Sequence, residues 1–468
     1  MQNCRYRFRL LSRASLQALF GISLASQAQT ASGQAPSPTE ASPPQTPPPK
    51  EPDQARQSLE DELAQALATT SPAPEPVVAP LASTPSPLRL IDISFDLLGS
   101  AGGSSAREDE LRNLQAGGHD PKNQGFTLQN VELTLAGVVD PYLRGDSHIV
   151  LSIDPDGETI LELEEAYLTT LDLPFNLQAK AGQFFSSFGR LNPSHPHAWD
   201  FVDQPVVSSR FMGPDGLRGP GAQLSWLTPL PFFAEVVLSA QNARGETAPS
   251  FLSVAGESIA GRTLGGREVR GPADLLYLAR LRTSFDPTDA LTLLLGASAL
   301  LGPNATGDDT TTRIYGADVT ARFRPLLNDH GWPFVAWQSE LMYRDYEAGP
   351  VEFDGGPVAS ATSLGDWGAY SQLVWGFSRP WALGARYDRA EGERHEWSLA
   401  DAAYDSASDP QRDERQRFSL VLTYYPSEFS KLRLQYNYDR AEFLRASDAH
   451  ATYLQFEILF GAHGAHQF

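Results

Sequence analysis

Hydrophobic and polar residues alternate along most of this chain from about residue 88 onward. In the segment 91–97, Ile, Phe and Leu occupy the odd positions, and Asp and Ser occupy the even ones. The alternation is cleanest in the segment 431–439, where Leu432, Leu434, Tyr436 and Tyr438 are separated by charged or amide side chains. A period of two indicates β-strands with one face toward lipid or a core and the other toward water.

About sixteen such segments follow one another from residue 88 to the end of the chain. An even number is what a single-chain barrel needs if both of its ends lie on the same side. The connections between segments alternate between short turns and long loops, as the two rims of a barrel require. The predicted strands begin near residues 88, 126, 142, 159, 175, 221, 232, 274, 290, 313, 334, 367, 381, 416, 431 and 451.

A soluble β-sandwich or solenoid would show the same alternation and is the alternative. Nearly every segment carries charged residues on its polar face, which leaves no second apolar layer to fill a sandwich. Aromatic residues also gather at segment ends on the apolar face, as interfacial girdles do. We therefore predict an all-β fold, a transmembrane antiparallel β-barrel of about 16 strands spanning residues 88–468. The girdle residues are Trp226, Phe285, Phe323, Trp337, Trp367, Trp375, Trp381 and Tyr424.

The start of the chain has the pattern of a secretory signal peptide over residues 1–28. Four arginines precede a short apolar run, and a small-residue site follows it. The apolar run is too short for a membrane helix, and no later window is long enough either. Cys4, the single cysteine, lies within this predicted signal, so the exported chain would have no disulfide and no cysteine-based metal site.

Residues 29–87 are rich in Pro, Ala, Ser and Thr, a composition that cannot bury a core. We interpret them as a disordered periplasmic tether. Within it, the segment 53–68 places Leu59, Leu63 and Leu67 on one face of a short helix, which either frays or self-associates as a coiled coil.

The last segment, 451–468, ends on Phe468, whose even-numbered position it shares with the apolar residues Leu454, Phe456, Ile458 and Phe460. It resembles the terminal strand of bacterial outer-membrane barrels, whose assembly machinery reads that end. The resemblance implies that Phe468 is an assembly signal, that the protein lies in the outer membrane among its lipids, and that the tether is periplasmic. If the barrel closes, this strand pairs with the first one, 88–98.

The segments 161–171 (LELEEAYLTTL) and 177–193 (LQAKAGQFFSSFGRLNP) resemble the family of phosphate-selective porins O and P. In that family an acidic strand ending in Ala-Tyr precedes a strand ending in Gly-Gln-Phe. The segments 195–221 and 461–466 look like barrel proteins labelled zinc-regulated, TonB-dependent outer-membrane receptors. Because such receptors need 22 strands and a globular plug, this second resemblance implies an outer-membrane location and a link to zinc, but no energised gating.

A barrel of this size encloses water, so passive diffusion of small hydrophilic solutes or ions is the expected function. The third long loop, 186–221, should fold inward and narrow the pore. Its charges are of both signs, whereas a phosphate filter needs a run of Arg and Lys without carboxylates between them. We therefore expect no phosphate selectivity. The predicted constriction residues are Arg190, His195, His197, Asp200, Asp203, Arg210, Asp215 and Arg218.

Other charges should line the lumen from the strands. Cations fall mostly in the later strands and acids in the earlier ones, so opposite walls would create a transverse field unless the charges pair with each other. The predicted lumen charges are Lys180, Arg280, Arg282, Arg322, Arg324, Arg344, Arg386, Arg433, Glu162 and Glu164.

His195 and His197 are the candidate metal ligands, with Asp200 nearby in the sequence. Imidazole and carboxylate suit zinc, but a zinc site needs three or four protein ligands, and this pair does not supply them alone. No cofactor is expected unless zinc binds here. A metal-specific channel, the second functional hypothesis, predicts that both histidines reach the lumen beside Asp200 or Asp203.

The chain contains no Gly-x-Ser-x-Gly elbow, His-Glu-x-x-His pair or Walker loop, so we do not expect an enzyme. The formal net charge is −21, and loss of the four signal arginines leaves about −25, which argues against a nucleic-acid partner.

A third hypothesis is a structural outer-membrane anchor whose tether binds the cell wall and whose third loop closes the pore. A homotrimer is the expected oligomer, because general porins of this size are commonly trimers.

Overall fold

The computed structural model describes residues 91–154, 156–353, 356–398 and 403–461. The predicted signal peptide, the Pro-rich tether with its helix 53–68, and Phe468 all lie outside the described residues.

Sixteen antiparallel strands form a closed barrel in which each strand pairs with its neighbours in chain order. This confirms the predicted fold class and strand number. The strands are β1 (Asp92–Ser104), β2 (Gly125–Val138), β3 (Leu143–Ile153), β4 (Thr159–Thr170), β5 (Leu177–Phe185), β6 (Arg218–Leu227), β7 (Ala234–Gln241), β8 (Leu276–Thr288), β9 (Leu291–Pro303), β10 (Thr311–Phe323), β11 (Phe334–Ala348), β12 (Thr362–Ser378), β13 (Trp381–Gly392), β14 (Arg415–Ser427), β15 (Ser430–Ala441) and β16 (Asp448–Gly461).

The last strand closes the barrel against the first, as the sequence predicted. The register runs from Ser94 opposite Gly461 to Ser104 opposite Ala451. On the outer surface of this seam, the rings of Phe95 and Phe460 are 4.8 Å apart. The barrel therefore has no free sheet edge at its closing point.

The distribution of side chains is inside-out compared with a soluble protein. On β15, Leu434 is 50% exposed while its neighbour Gln435 is fully buried, and on β16 the same contrast separates Leu454 from Gln455. Apolar residues thus cover the outer surface, and polar residues fill the interior. This is the arrangement of a transmembrane barrel, and it excludes the sandwich alternative.

Short helices lie in the loops of one rim. Helix α1 (Glu108–Leu114) follows β1, and helix α2 (Val206–Met212) lies in the connection between β5 and β6. Small two-stranded hairpins at 258–263, 351–359 and 396–405 belong to other long connections. Neither helix is long and apolar enough to cross a bilayer.

The connection between β5 and β6, residues 186–217, is called loop 3 below. It folds into the barrel and places an apolar cluster inside the lumen, which the sequence did not predict. From loop 3 come Phe188, Val207, Phe211 and Met212, all nearly or fully buried. They pack against wall residues of β8 to β12: Leu276, Leu278, Leu300, Ile314, Met342 and Tyr370.

We predict that a charge on the outer surface destabilises the barrel according to its depth in the bilayer. Leu434→Arg places a guanidinium on the lipid face of β15 and should cost about 2–4 kcal/mol of folding free energy near the midplane. The control Leu327→Arg changes a turn residue that is 94% exposed, and should cost under about 1 kcal/mol. Guanidinium unfolding in phospholipid vesicles measures both values. Equal effects from the two variants would contradict the assigned lipid face.

Candidate functional site

Loop 3 crosses the lumen and is held by hydrogen bonds to wall side chains. The Gly189 amide donates to Ser298 Oγ of β9 at 3.2 Å, and the Leu191 amide donates to Glu340 Oε1 of β11 at 2.8 Å. Beyond helix α2, loop 3 returns to β6. The loop is thus fixed to strands β9 and β11, which are not those that it connects.

Asp203 is the most extensively bonded residue of loop 3. Its carboxylate accepts hydrogen bonds from Arg386 at 2.6 Å, Arg417 at 2.9 Å, Asn437 at 2.6 Å and Gln435 at 2.9 Å. These four side chains come from β13, β14 and β15. Burial alone would raise the pKa of Asp203, but Arg417 and Arg386 outweigh it and lower the pKa to about 2. Asp203 is therefore a buried, ionised link between loop 3 and the wall.

A polar cavity of about 980 Å³ lies in the lumen against loop 3. Acids line it from β1 to β4, and most of its arginines come from β8, β10 and β13. The cavity extends to the end of the barrel where β1 begins, because Asp92 and Ser94 contribute to its lining. We call it the lumen cavity.

Four histidines meet buried carboxylates at one edge of the lumen cavity. His119 comes from the first loop, His148 from β3, and His195 and His197 from loop 3. The carboxylates are on neighbouring strands: Asp96 on β1 pairs in register with Glu132 on β2, and Glu164 and Glu165 are on β4. We call these eight residues the histidine cluster.

A β-bulge places two successive glutamates in this cluster. His148 is opposite Glu165, but the next residue, Ile149, is opposite Leu163, so Glu164 is the extra residue of β4. Both Glu164 and Glu165 are therefore buried. In a regular strand they would point to opposite faces.

His195 is the centre of the cluster. Its Nδ1 lies 3.1 Å from Glu164 Oε2 and 3.5 Å from Glu132 Oε2, and its Nε2 lies 3.0 Å from Glu165 Oε2. The rings of His195 and His148 stack at 4.4 Å, and the rings of His195 and His197 stack at 5.7 Å.

The other members extend this network in both directions. His148 Nδ1 lies 2.8 Å from Glu132 Oε1, and His197 Nδ1 lies 3.4 Å from Glu132 Oε2 and 3.9 Å from Asp96 Oδ2. His119 Nε2 lies 3.2 Å from Glu164 Oε1. Glu132 and Glu164 thus each contact two or more histidines.

The carboxylates favour positive charge at the loop histidines. Burial alone would lower the pKa of His195, but Glu132, Glu164 and Glu165 outweigh it and raise the pKa well above its ordinary value. Burial also opposes protonation of His119, yet Glu164 and Asp215 raise its pKa to about 9. The carboxylates thus favour a positive charge on His195 and on His119 at the acidic side of the lumen.

The predicted constriction residues of loop 3 divide between several places. Arg190 and Asp200 line the lumen cavity, and Asp200 accepts a hydrogen bond from Gln372 at 3.2 Å. Arg210 is buried against Asp413 at 2.7 Å, away from the cavity lining. Arg218, the first residue of β6, pairs with Glu162, and Asp215 lies 3.9 Å from His119.

The loop histidines form their ion pairs with carboxylates of the wall strands, while Asp200 and Asp203 line the same lumen cavity. His195 and His197 do reach the lumen, but the carboxylates at ion-pair distance, between 3.0 and 3.9 Å, belong to β1, β2 and β4. The expected partners, Asp200 and Asp203, are not among them. Loop 3 turns these two side chains toward β1, β2 and β4 and Asp203 toward β13 to β15, a difference that sequence proximity does not reveal.

Most of the predicted lumen charges lie on the inner face and are paired. Arg280 binds Asp318 at 2.9 Å, Arg344 binds Asp366 at 2.7 Å, Arg386 binds Asp388 at 2.8 Å as well as Asp203, and Arg433 binds Glu457 at 3.1 Å. Arg282 pairs with Glu235. Lys180 and Arg322 line the lumen cavity. Arg324 follows the last residue of β10 and is exposed in a turn, so it is not part of the strand wall.

His119, His148 and Glu165 are cluster members that the sequence did not identify as candidate ligands. His148 shares the polar face of β3, which is a weak signal. Glu165 occupies a position that the alternation assigns to the apolar face of its segment. The bulge that turns it inward cannot be recognised from the alternation of apolar and polar residues. His119 belongs to a loop and gives no pattern at all.

Among proteins of known sequence, a protein of Aquifex aeolicus strain VF5 described as an uncharacterized protein is 33% identical over 405 residues. The match covers 81% of this chain and 80% of the Aquifex protein. The chain belongs to the family of this Aquifex protein. No family model matches the sequence.

Two solved structures are similar to this chain. The outer-membrane channel DcaP of Acinetobacter baumannii superposes with a TM-score of 0.51 at 13% identity, covering 79% of this chain and 97% of that one. OprB of Pseudomonas putida superposes with a TM-score of 0.48 at 12% identity, covering 80% and 94%. The likeness to DcaP shows that the two chains share a barrel fold.

We predict that Asp203→Ala loosens loop 3. The change leaves buried guanidinium groups of β13 and β14 without one of their carboxylates, which typically costs about 3–5 kcal/mol. Asp200→Ala is the matched control, because Asp200 lies on the same loop but is only half-buried, and its loss should cost under about 1 kcal/mol. Chemical unfolding gives the free energies, and trypsin cleavage at Arg190 and Arg210 reports on the loop. Equal stability and equal cleavage would show that Asp203 does not hold the loop.

Proposed function

We propose that this protein is a porin-type channel of the outer membrane that lets small hydrophilic solutes or ions diffuse passively. One observation carries the proposal: a closed barrel with an apolar exterior encloses a polar lumen cavity of about 980 Å³. Barrels of sixteen to eighteen strands enclose an aqueous channel. Loop 3, which crosses this lumen, would set the size and charge of what passes.

The walls of the lumen cavity support selection by charge distribution rather than by net sign. Asp96, Glu132 and Glu165 line one side, and Arg282, Arg322 and others line the opposite side. A solute in transit would therefore meet a transverse field that orients a dipole. Because most of the arginines already have a carboxylate partner, we expect weak selectivity between simple cations and anions.

A finer proposal concerns ancestry. The two segments that resemble the phosphate-selective porins O and P form the adjacent strands β4 and β5, with Tyr167 opposite Gly182. Their pairing just before loop 3 supports a relationship to those porins. Phosphate selectivity is not part of the proposal, because the arginines and acids of loop 3 alternate and several are paired.

The outer membrane is the location that this fold and the apolar exterior support. Its lipids and the barrel-assembly machinery would then be the partners, and the Pro-rich segment would be a periplasmic tether. A homotrimer is proposed from the size of the barrel. With sixteen strands, this barrel is smaller than the 22-stranded barrels of outer-membrane transporters, so we do not propose TonB-dependent gating.

The structural-anchor function is a second candidate, favoured by the apolar cluster inside the barrel. Phe188, Val207, Phe211 and Met212 of loop 3 fill lumen space that an open porin would leave to water. If this packing closes the pore, the barrel would only anchor the tether.

Planar-bilayer recording with a KCl gradient separates the two functions. The porin proposal predicts a small, steady ion current from the purified protein and a larger current per channel from Asp203→Ala, because the loop is then released from β13 to β15. Asp329→Asn removes one charge from an exposed turn and should leave the current unchanged. A pore that conducts no ions in either the wild type or Asp203→Ala would contradict the porin proposal and favour the anchor.

A further inference from the structure

The carboxylates of the histidine cluster are incompletely satisfied. Glu132 is 1% exposed and Asp96 is 3% exposed. Nevertheless, both carboxylate oxygens of Asp96 accept no hydrogen bond from any described residue, and Glu132 Oε2 faces the imidazole nitrogens of His195 and His197 at 3.5 and 3.4 Å. A buried carboxylate oxygen without a donor costs free energy unless a cation or another donor compensates for it.

These unsatisfied oxygens lie among imidazole nitrogens at distances near those of a metal site. One potential ligand atom from each of Glu132, His148 and His195 lies within 4.8 Å of the other two. Asp96, Glu132 and His197 form a second such group that shares Glu132. The ligand atoms of a tetrahedral zinc site are about 3.3 Å apart, so small side-chain rotations would bring either group to bonding geometry.

The chemistry of the ligand set identifies the class of ion. Two imidazoles and a carboxylate suit Zn²⁺ and neighbouring divalent transition metals, whereas Ca²⁺ and Mg²⁺ prefer sites built from oxygen alone. An ion also has a route to the group, because Glu132, His148, His195 and His197 line the lumen cavity.

We propose that Glu132, His148 and His195 bind a divalent transition-metal ion, beside Asp96 and His197, and that this ion ties loop 3 to the wall formed by β2 and β3. His195 is the contribution of the loop, and Glu132 and His148 are the contribution of the wall. The ion displaces protons from the histidines and compensates for Glu132. Binding does not depend on the channel activity proposed above, whereas an effect of the metal on current rests on it.

Titration of the purified full chain in detergent tests the proposal. Any affinity tag is removed, and the protein is first treated with EDTA. Calorimetry with Zn²⁺ should show tight binding, and Co²⁺ should give the visible absorption of a four-coordinate ion. His195→Ala, His148→Ala and Glu132→Gln should each weaken metal binding by more than about 100-fold. Loss of a residue that only hydrogen-bonds to a metal ligand typically costs about 10- to 100-fold in affinity.

His330→Ala and His450→Ala are the matched controls. His330 is exposed in a turn, and His450 contacts Tyr436 in an exposed pair, so both variants should bind as the wild type does. Far-ultraviolet circular dichroism shows which variants have folded, as does the difference in gel mobility between heated and unheated samples. If His195→Ala does not fold, His195→Gln keeps a polar group of similar size and serves in its place.

A second measurement follows the loop itself. Zn²⁺ should slow trypsin cleavage at Arg190 in the wild type and in both controls, but not in His195→Gln. A wild type that binds neither ion would overturn the proposal, and so would a His195 variant with unchanged affinity. If binding is as expected but no current is detected in bilayers, the metal site stands and the porin function fails.

Discussion

The attachment of loop 3 to β13 and β14 depends on the ion pairs that Asp203 makes with Arg386 and Arg417. A loop that crosses a lumen gives up contact with water and must find partners for its polar groups. Asp203 provides the charge that two neighbouring buried arginines require, and Gln435 and Asn437 complete its hydrogen bonds. With this point fixed on β13 to β15, the preceding residues His195 and His197 reach β1, β2 and β4, and the following helix α2 meets the apolar residues of β8 to β12.

The fold could be predicted because alternation is a local signal that each strand repeats. A wrong assignment of one segment, such as the start of β12 near 367 instead of Thr362, did not alter the count of strands or the pairing of β1 with β16. Register is set by which face must be apolar, and in this barrel that requirement is the same for all strands.

The site could be predicted only in part, because its geometry is not local. The spacing of His195 and His197 identified the loop ligands, but their wall partners lie on strands that approach only when the barrel closes. Strict parity also placed Glu165 on the lipid face, whereas the bulge opposite His148 turns it into the lumen. Nor does alternation show what a loop does: Val207, Phe211 and Met212 have no period-two pattern, yet they form the core of the lumen.

Loop 3 presents opposite charges to two different groups of strands, and the chemistry that holds it differs between them. Arginine does not lose its proton at physiological pH, so the wall of β13 and β14 requires a carboxylate at all times, and Asp203 supplies it. The wall of β1, β2 and β4 requires positive charge instead, which either protonated histidines or a metal ion can supply. One side of the loop is therefore a fixed attachment, while the other can change its occupant without any change in the sign of the charge that holds it.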